Sequence, residues 1–192
     1  MNKWKHFKTV CSHKKNVFKM CRKTGITWQG VIHDLSKFSP TEFNESAKYY
    51  SGDRSPIDAC KEANGYSLAW FHHRGRNKHH WQYWVDQIDT ESNVITAMPY
   101  KYALEMFCDC IGASMTYLGK DFTYQKEYEW WTENNSKFFM HPITRAFIDI
   151  LMRDCANKGD HILKPSTCKE IHNIMIDLYE RDKLDNYREV FI

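Results

Sequence analysis

The chain of 192 residues lacks any apolar run that approaches the ~20 residues of a membrane-spanning helix. Its N-terminal segment is charged from Lys3 onward and lacks the apolar region of a secretion signal. The seven cysteines are odd in number and contain no CxxC pair, which argues against a zinc knuckle and against a complete disulfide framework. We therefore expect a cytoplasmic protein with buried, reduced thiols and no membrane partner.

Acidic residues are absent before Asp34, although the formal net charge of the whole chain is only +3. The first 23 residues carry eight cationic side chains, namely Lys3, Lys5, Lys8, Lys14, Lys15, Lys19, Arg22 and Lys23. Such a surface attracts anions, so a nucleotide, a nucleic acid or an acidic protein are all candidate partners. A solvated helix face explains the same pattern, and one basic helix does not specify nucleic-acid binding.

Glycine and proline are scarce, with 8 and 5 residues, and they separate segments with helical periodicity. The first segment carries apolar residues on one face, including Trp4, Phe7, Val10, Cys11 and Val17. Helices are predicted over residues 2–23, 27–34, 40–50, 56–73, 99–118, 121–133 and 142–157, with a loop at 75–78, a short helix from about His79 and a last helix from the capping box 167–170. Residues 81–95 are also compatible with an extended piece. The pattern predicts an all-α bundle of about eight to ten helices, forming one domain over residues 1–192.

A pair of potential metal ligands, His33 and Asp34, follows directly after an apolar run. An imidazole nitrogen and a carboxylate oxygen from neighbouring residues can bind the same divalent cation. A second histidine-rich run includes His72, His73, His79 and His80. These clusters indicate a protein built around a metal site.

Two further candidate ligands lie on long predicted helices. His13 borders the apolar stripe of the first helix, and Asp109 lies among apolar residues one turn after Glu105. An isolated carboxylate in such surroundings is costly, so it is expected to be paired, hydrogen-bonded or bound to metal. Each candidate alone has a simpler explanation: a core-edge histidine, a helix-terminal His-Asp turn or a surface pair. Their combination is what favours a metal site.

The order of these residues resembles the HD-domain superfamily of metal-dependent phosphohydrolases, which is all-helical. The matching residues cover about 10–115 and are His13, His33, Asp34, Lys37, His73, His79, His80 and Asp109. The runs His-Asp-Leu-Ser-Lys-Phe at 33–38 and Asn-x-His-His-Trp-x-Tyr-Trp at 77–84 resemble, more narrowly, an uncharacterised family of small bacterial and phage proteins. The C-terminal helices, 121–192, have no counterpart in this resemblance.

The resemblance implies a role for each residue. His13, His33, Asp34 and Asp109 would hold one ion, and His73, His79 and His80 would complete a second site that Asp34 bridges. Mixed histidine and carboxylate ligands suit Mn, Fe, Co, Ni or Zn. Asp34 and Lys37 would act in catalysis on a phosphate ester, which we expect to be a nucleotide or cyclic nucleotide. Expected substrate contacts are Lys37, His72, Arg74, Arg76, Asn77, Lys78 and Trp81, with Trp70 and Trp84 as further stacking faces.

Three other functions stay open at this point. A di-iron HD-type oxygenase would use the same fold and a similar ligand set. In a non-catalytic module that binds a nucleotide or a protein, the helical scaffold and the metal would both be structural. Nucleic-acid binding through the first helix would show the steep salt dependence that phosphate contacts cause.

Overall fold

The computed structural model describes residues 2–89 and 92–191. The helices of this part are α1 (Lys3–Lys23), α2 (Thr27–Ile32), α3 (Pro40–Tyr49), α4 (Pro56–Asn64), α5 (Leu68–Arg76), α6 (Tyr100–Leu118), α7 (Tyr124–Asn134), α8 (Pro142–Lys158) and α9 (Pro165–Glu180). Short 3₁₀ turns cover Leu35–Phe38, Trp81–Trp84, Gly119–Asp121, Asn135–Lys137, Asp160–Ile162 and Leu184–Phe191. The predicted all-α fold is confirmed, with nine α-helices among the described residues. None of these helices has both the length and the apolar composition that crossing a bilayer requires.

One small sheet interrupts the helices between α5 and α6. Strands β1 (Val85–Gln87) and β2 (Asn93–Ile95) pair antiparallel, with Val85 opposite Ile95. This hairpin lies in the stretch 81–95 that the sequence left open to an extended conformation. Residues 90 and 91 lie outside the described part of the chain.

The region predicted as a single helix over 56–73 is two helices, so that prediction was wrong. Gly65 has φ +81°, a left-handed conformation that suits glycine, and it ends α4. Ser67 then caps α5 by accepting a hydrogen bond from the backbone N–H of Trp70 at 3.0 Å. Helix α5 continues through Gly75 to Arg76, so the predicted loop at 75–78 begins two residues later than expected.

The beginning of the last helix was also predicted in the wrong place. The sequence favoured a capping box at 167–170, but α9 begins at Pro165, with Lys164 in an extended conformation before it. Proline at the first helical position needs no N–H partner and sets the backbone angle for the helix. Thr167 is therefore inside the first turn.

Helices α1, α6 and α8 contribute most of the buried core. Completely buried side chains include Val17 on α1, Phe107 on α6 and Phe147 on α8. The buried face of α1 differs in part from the predicted stripe, because Trp4 is 65% exposed and Cys11 is also exposed. The residues that α1 buries are His6, Val10, His13, Val17, Met20 and Cys21.

Close packing of α1 against α6 depends on Gly112. A Cβ atom at this position would lie 2.4 Å from Val17 Cγ2 and 3.0 Å from the Val17 backbone nitrogen. The absence of a side chain therefore lets the two helices approach each other. His13 and Asp109 lie about one turn from this contact, on α1 and α6 respectively, so the same packing determines how close they come.

Candidate metal centre

The backbone at His33 and Asp34 makes a sharp corner. His33 ends α2, and Asp34 has φ +54° and ψ +26°, a left-handed conformation that aspartate adopts more readily than most residues. Both residues are 1% exposed. The corner therefore lets two adjacent side chains enter the interior together, which a regular helix or strand would not do.

A first group of donor atoms gathers on one side of Asp34. His13 Nε2 lies 3.5 Å from Asp34 Oδ2 and 3.1 Å from Asp109 Oδ1. His33 Nε2 lies 3.3 Å from Asp34 Oδ2 and 3.2 Å from Asp109 Oδ1. Each of these four residues offers one ligand atom, and these four atoms all lie within 4.8 Å of one another.

A second group of donor atoms faces the other carboxylate oxygen of Asp34. His73 Nε2 lies 3.3 Å from Asp34 Oδ1, and His79 Nε2 lies 3.5 Å from the same oxygen. His80 completes the group, again with all ligand atoms within 4.8 Å of one another. The structure thus brings together all seven predicted donors, as two groups that share Asp34.

Two glutamates bind the outward-facing nitrogens of these histidines, and the sequence reasoning missed both. Glu105 Oε1 lies 3.0 Å from His33 Nδ1 and 3.3 Å from His79 Nδ1. Glu42 Oε2 lies 2.7 Å from His73 Nδ1, and its other oxygen lies 2.5 Å from His72 Nδ1. Carboxylates in this position fix the orientation of ligating histidines in metalloproteins.

In the sequence, neither glutamate stood out as a partner of the histidines. Glu42 occupies the third position of a capping box, and its backbone N–H does donate to Ser39 Oγ at 3.4 Å. Its carboxylate, however, turns inward and is 2% exposed. Glu105 lies one turn before Asp109 on α6, and this spacing of two acids on one helix face was the available clue. Gln29 holds its second oxygen through a hydrogen bond of 3.0 Å.

The two aspartates of the cluster are ionised at neutral pH. Burial raises the pKa of Asp34, but the charges of His33 and Lys37 outweigh burial and hold this pKa well below its usual value. Burial acts on Asp109 in the same way, and hydrogen bonds from His13 and His33 hold its pKa well below the usual range. Both side chains are therefore in the form that binds a cation.

Several buried polar atoms of the cluster fit the requirements of a metal ion. Asp34 Oδ1, His79 Nε2 and His80 Nε2 make no well-oriented hydrogen bond within the described residues, although His73 Nε2 lies 3.3 Å from that carboxylate oxygen. Unsatisfied buried polar atoms are costly, and an ion bound by imidazole and carboxylate groups would satisfy them. Burial also holds the pKa of His80 well below its usual value. Its imidazole is therefore neutral, as a ligand must be.

A cavity of about 200 Å³ opens onto the cluster. His13, His73, His80 and Asp109 face it, and Lys37 lies at its edge. Within the described part of the chain, Lys37 is the single lysine or arginine that lines this cavity. The remaining walls are mostly apolar and include Val10, Pro56, Ile57, Trp70, Ala113 and Tyr117.

The predicted substrate contacts are divided between this cavity and other places. Lys37 lines it, with Nζ 2.5 Å from Asp34 Oδ2. His72 is held by Glu42, whereas Asn77 donates hydrogen bonds to Ser36 Oγ and to the His73 carbonyl, both at 2.8 Å. Neither residue lines this cavity, and Asn77 instead lines a separate groove together with the donor His79.

The other predicted contacts lie away from this cavity. Arg76 and Lys78 line a separate groove, and Arg74 lies over the ring of Phe71 at 5.0 Å. Trp81 packs against the ring of Phe138. The structure thus does not bring these four side chains to the first cavity.

The basic first helix is partly engaged inside the fold. Lys14 Nζ donates to the carbonyl oxygens of Val31 and His33, and Lys23 pairs with Asp160 at 2.6 Å. The exposed cations of the helix are Lys3, Lys5, Lys8, Lys15, Lys19 and Arg22. Nucleic-acid binding through this surface stays a prediction.

The fold and the cluster define an all-α protein with buried histidines and carboxylates arranged in two groups that could each hold a metal ion. Residues 2–154 match the model of a family described as a family of unknown function (DUF5662), and the chain belongs to this family. The matched region includes all seven donor residues. No curated protein and no solved structure matches the chain.

Proposed function

We propose that this protein is a metal-dependent phosphohydrolase that acts on a phosphate ester and uses one or two divalent transition ions. The resemblance of the sequence to the HD-domain superfamily supports this proposal. The His33-Asp34 pair would be the signature of that superfamily. The observation that carries it is the position of Asp34. Its Oδ2 faces His13 and His33, and its Oδ1 faces His73 and His79.

A carboxylate that faces two donor groups through its two oxygens suits a bridging ligand between two ions. The donors of both groups are imidazole nitrogens and carboxylate oxygens, a set that favours Mn, Fe, Co, Ni or Zn over Mg or Ca. When bound, such an ion lowers the pKa of a coordinated water from ~15.7 toward ~7 and so makes hydroxide available at neutral pH.

The protein's own residues would orient the substrate and the ligands. The side chain of Lys37 is 27% exposed and lines the cavity. Burial lowers the pKa of Lys37, but the negative charge of Asp34 outweighs burial and raises this pKa above its usual value. The positive charge of Lys37, which is paired with Asp34, would thus also face a phosphoryl oxygen bound in the cavity. Glu105 and Glu42 would hold the histidine rings in place. The apolar walls of the cavity would limit the entry of water.

We further propose that the substrate is a nucleotide or cyclic nucleotide and that the protein works in the cytoplasm. All seven cysteines are free thiols, and five of them are buried, which suits a reducing compartment. A panel of mononucleotides, cyclic nucleotides and bis-p-nitrophenyl phosphate would identify the reaction class. Hydrolysis that requires the bound ion is the expected result.

Metal analysis of the purified protein tests the proposal directly. The wild type is compared with Asp34→Asn and with Asp177→Asn, a matched control because Asp177 is half-exposed at its side chain and pairs with Arg181 on α9. We expect about one or two transition ions per chain in the wild type and the control, and a large loss in Asp34→Asn. Equal, negligible metal in all three proteins would contradict the proposal. Stoichiometric iron with oxygen-dependent turnover would favour an oxygenase instead.

A further inference from the structure

A second cavity of about 420 Å³ lies next to the first one. The two cavities have four lining residues in common, namely Ser55, Asp109, Ala113 and Tyr117. Asp109 belongs to the donor cluster. The two spaces are therefore adjacent, with Asp109 in the lining of both, and we refer to them together as the cleft.

The outer part of the second cavity presents apolar side chains to the solvent. Trp130 is 47% exposed and Leu118 is 41% exposed, and both line the cavity together with Tyr117. The ring of Trp130 has a contact with Phe138 on one side, at a centroid distance of 6.2 Å. An aromatic side chain with a large exposed fraction at the edge of a cavity can stack on a flat ligand.

The second cavity also has polar side chains in its lining. Glu127 is 6% exposed there. Burial raises its pKa to about 7, against a hydrogen bond with Ser114, so a large fraction of the carboxyl is neutral at pH 7. Lys126 also lines the cavity, and its Nζ donates to the Asp121 carbonyl at 3.0 Å. These side chains suit a ligand group that can accept a hydrogen bond.

We propose that the second cavity is a binding subsite for the alcohol part of the phosphate ester, and that this part is an aromatic or heterocyclic group stacked on Trp130. The phosphoryl group would lie at the Asp109 end of the cleft. This inference rests on the proposed hydrolase function and names the substrate class for it.

The sizes of the two spaces support this division. Ligand pockets for drug-sized molecules have volumes of about 300–1,000 Å³. The first cavity, at about 200 Å³, is below that range and has room for a phosphoryl group with a small substituent. A larger ester needs the adjoining space of about 420 Å³. The presence of Asp109 in the lining of both cavities favours a substrate over a protein segment as the occupant.

Binding of non-hydrolysable phosphonates tests the subsite without relying on turnover. Methylphosphonate and 1-naphthylphosphonate are titrated calorimetrically into the metal-loaded wild type, Trp130→Ala, Trp130→Phe and Trp4→Ala. Trp4 is a matched control because it is 65% exposed and lies on α1 outside both cavities. We expect 1-naphthylphosphonate to bind the wild type about tenfold or more tightly than methylphosphonate, because one aromatic stacking contact has an effect of this size.

The variants separate stacking from general damage. Trp130→Ala should weaken binding of 1-naphthylphosphonate about tenfold and leave methylphosphonate binding unchanged. Trp130→Phe should restore most of the affinity for 1-naphthylphosphonate. Trp4→Ala should bind both phosphonates as the wild type does. Equal affinity of the wild type for both phosphonates, or equal effects of Trp130→Ala and Trp4→Ala, would overturn the subsite while leaving the hydrolase proposal intact. Failure of both phosphonates to bind would overturn both proposals.

Discussion

Lys14 fastens the backbone at His33 to the first helix. Its Nζ donates to the carbonyl oxygen of His33 at 2.7 Å and to that of Val31 at the same distance. These bonds hold the end of α2, where the chain turns into the left-handed conformation of Asp34. Lys14, one of the cations of the basic first helix, thereby has a structural role beside the donor cluster.

Replacing Lys14 with methionine should loosen this corner. A hydrogen bond to a charged donor contributes about 1.5–3 kcal/mol, so loss of the two bonds in Lys14→Met is expected to lower the free energy of unfolding by roughly 3 kcal/mol or more and to weaken metal binding. Lys15→Met is the control, because Lys15 is exposed on the same helix. Urea unfolding and metal titration measure both effects. Equal behaviour of the two variants would show that the bonds from Lys14 do not stabilise the corner.

Gly112→Ala should separate α1 from α6. The new Cβ would overlap with Val17 at 2.4 Å, and Val17 has no flexible side chain that can move away. We expect a loss of about 1–3 kcal/mol in unfolding free energy, as is usual for overpacking, with a longer distance from His13 to Asp109 and weaker metal binding. Gly75→Ala is the control, because nothing lies within 4 Å of its Cβ and alanine favours a helix. Equal losses in both variants would refute the role of the α1–α6 contact.

Glu105→Gln should lower the affinity of the donor cluster for metal without unfolding the protein. Glu105 contacts the Nδ1 atoms of His33 and His79, and loss of such partners lowers metal affinity by about 10–100-fold. Glu129→Gln serves as the control, since Glu129 is exposed on α7 and pairs with Gln125. Competition with a metal chelator measures the affinities. Unchanged affinity in Glu105→Gln would mean that this carboxylate does not orient the ligands.

The stability of the metal-free protein should fall as pH rises past the ordinary glutamate pKa, because of Glu127. Its pKa is raised from 4.5 to about 7, so the unfolded chain releases this proton at a lower pH than the folded chain. Below pH 4.5, Glu127 is protonated in both states and does not change the free energy of unfolding with pH. Between pH 4.5 and 7 its contribution lowers this free energy, and above pH 7 the loss is constant. The full loss is about 3 kcal/mol.

Glu127→Gln removes this dependence while keeping the size of the side chain. The difference in unfolding free energy between the variant and the wild type should grow from pH 4.5 to 7 and then level off. Urea unfolding over pH 4.5–8 measures it. A constant difference across this range would show that Glu127 is already ionised in the folded protein.

The donor residues were visible in the sequence because they occur as neighbours or on strongly periodic helices. His33-Asp34 and His79-His80 are adjacent pairs, and Asp109 interrupts an apolar helix face. Their convergence could not be derived from periodicity alone, because it depends on how α1, α5 and α6 pack. Glu42 and Glu105 were missed for a similar reason. A helical glutamate is usually solvent-exposed, and only the tertiary contact with a histidine gives it another role.

Element boundaries were predicted less well than the elements. The start and end of α6 were anticipated from Pro99 and Gly119, because these residues are strong helix signals on either side of a periodic segment. The break at Gly65 was missed because a single glycine inside a helical pattern is often tolerated. The cleft next to Trp130 was also missed, since its walls come from helices α6 and α7 and from Ser55, which lies much earlier in the sequence.

The most direct test of the metal centre is an anomalous diffraction measurement on crystals of the protein as purified, collected on both sides of the absorption edge of the metal. We expect at least one transition ion within about 2.0–2.2 Å of an Asp34 carboxylate oxygen, the usual metal–ligand bond length. With two ions, one peak should lie beside His13 and His33 and the other beside His73 and His79. Well-ordered crystals with no anomalous peak in contact with Asp34 would show that the donor residues do not hold a transition ion.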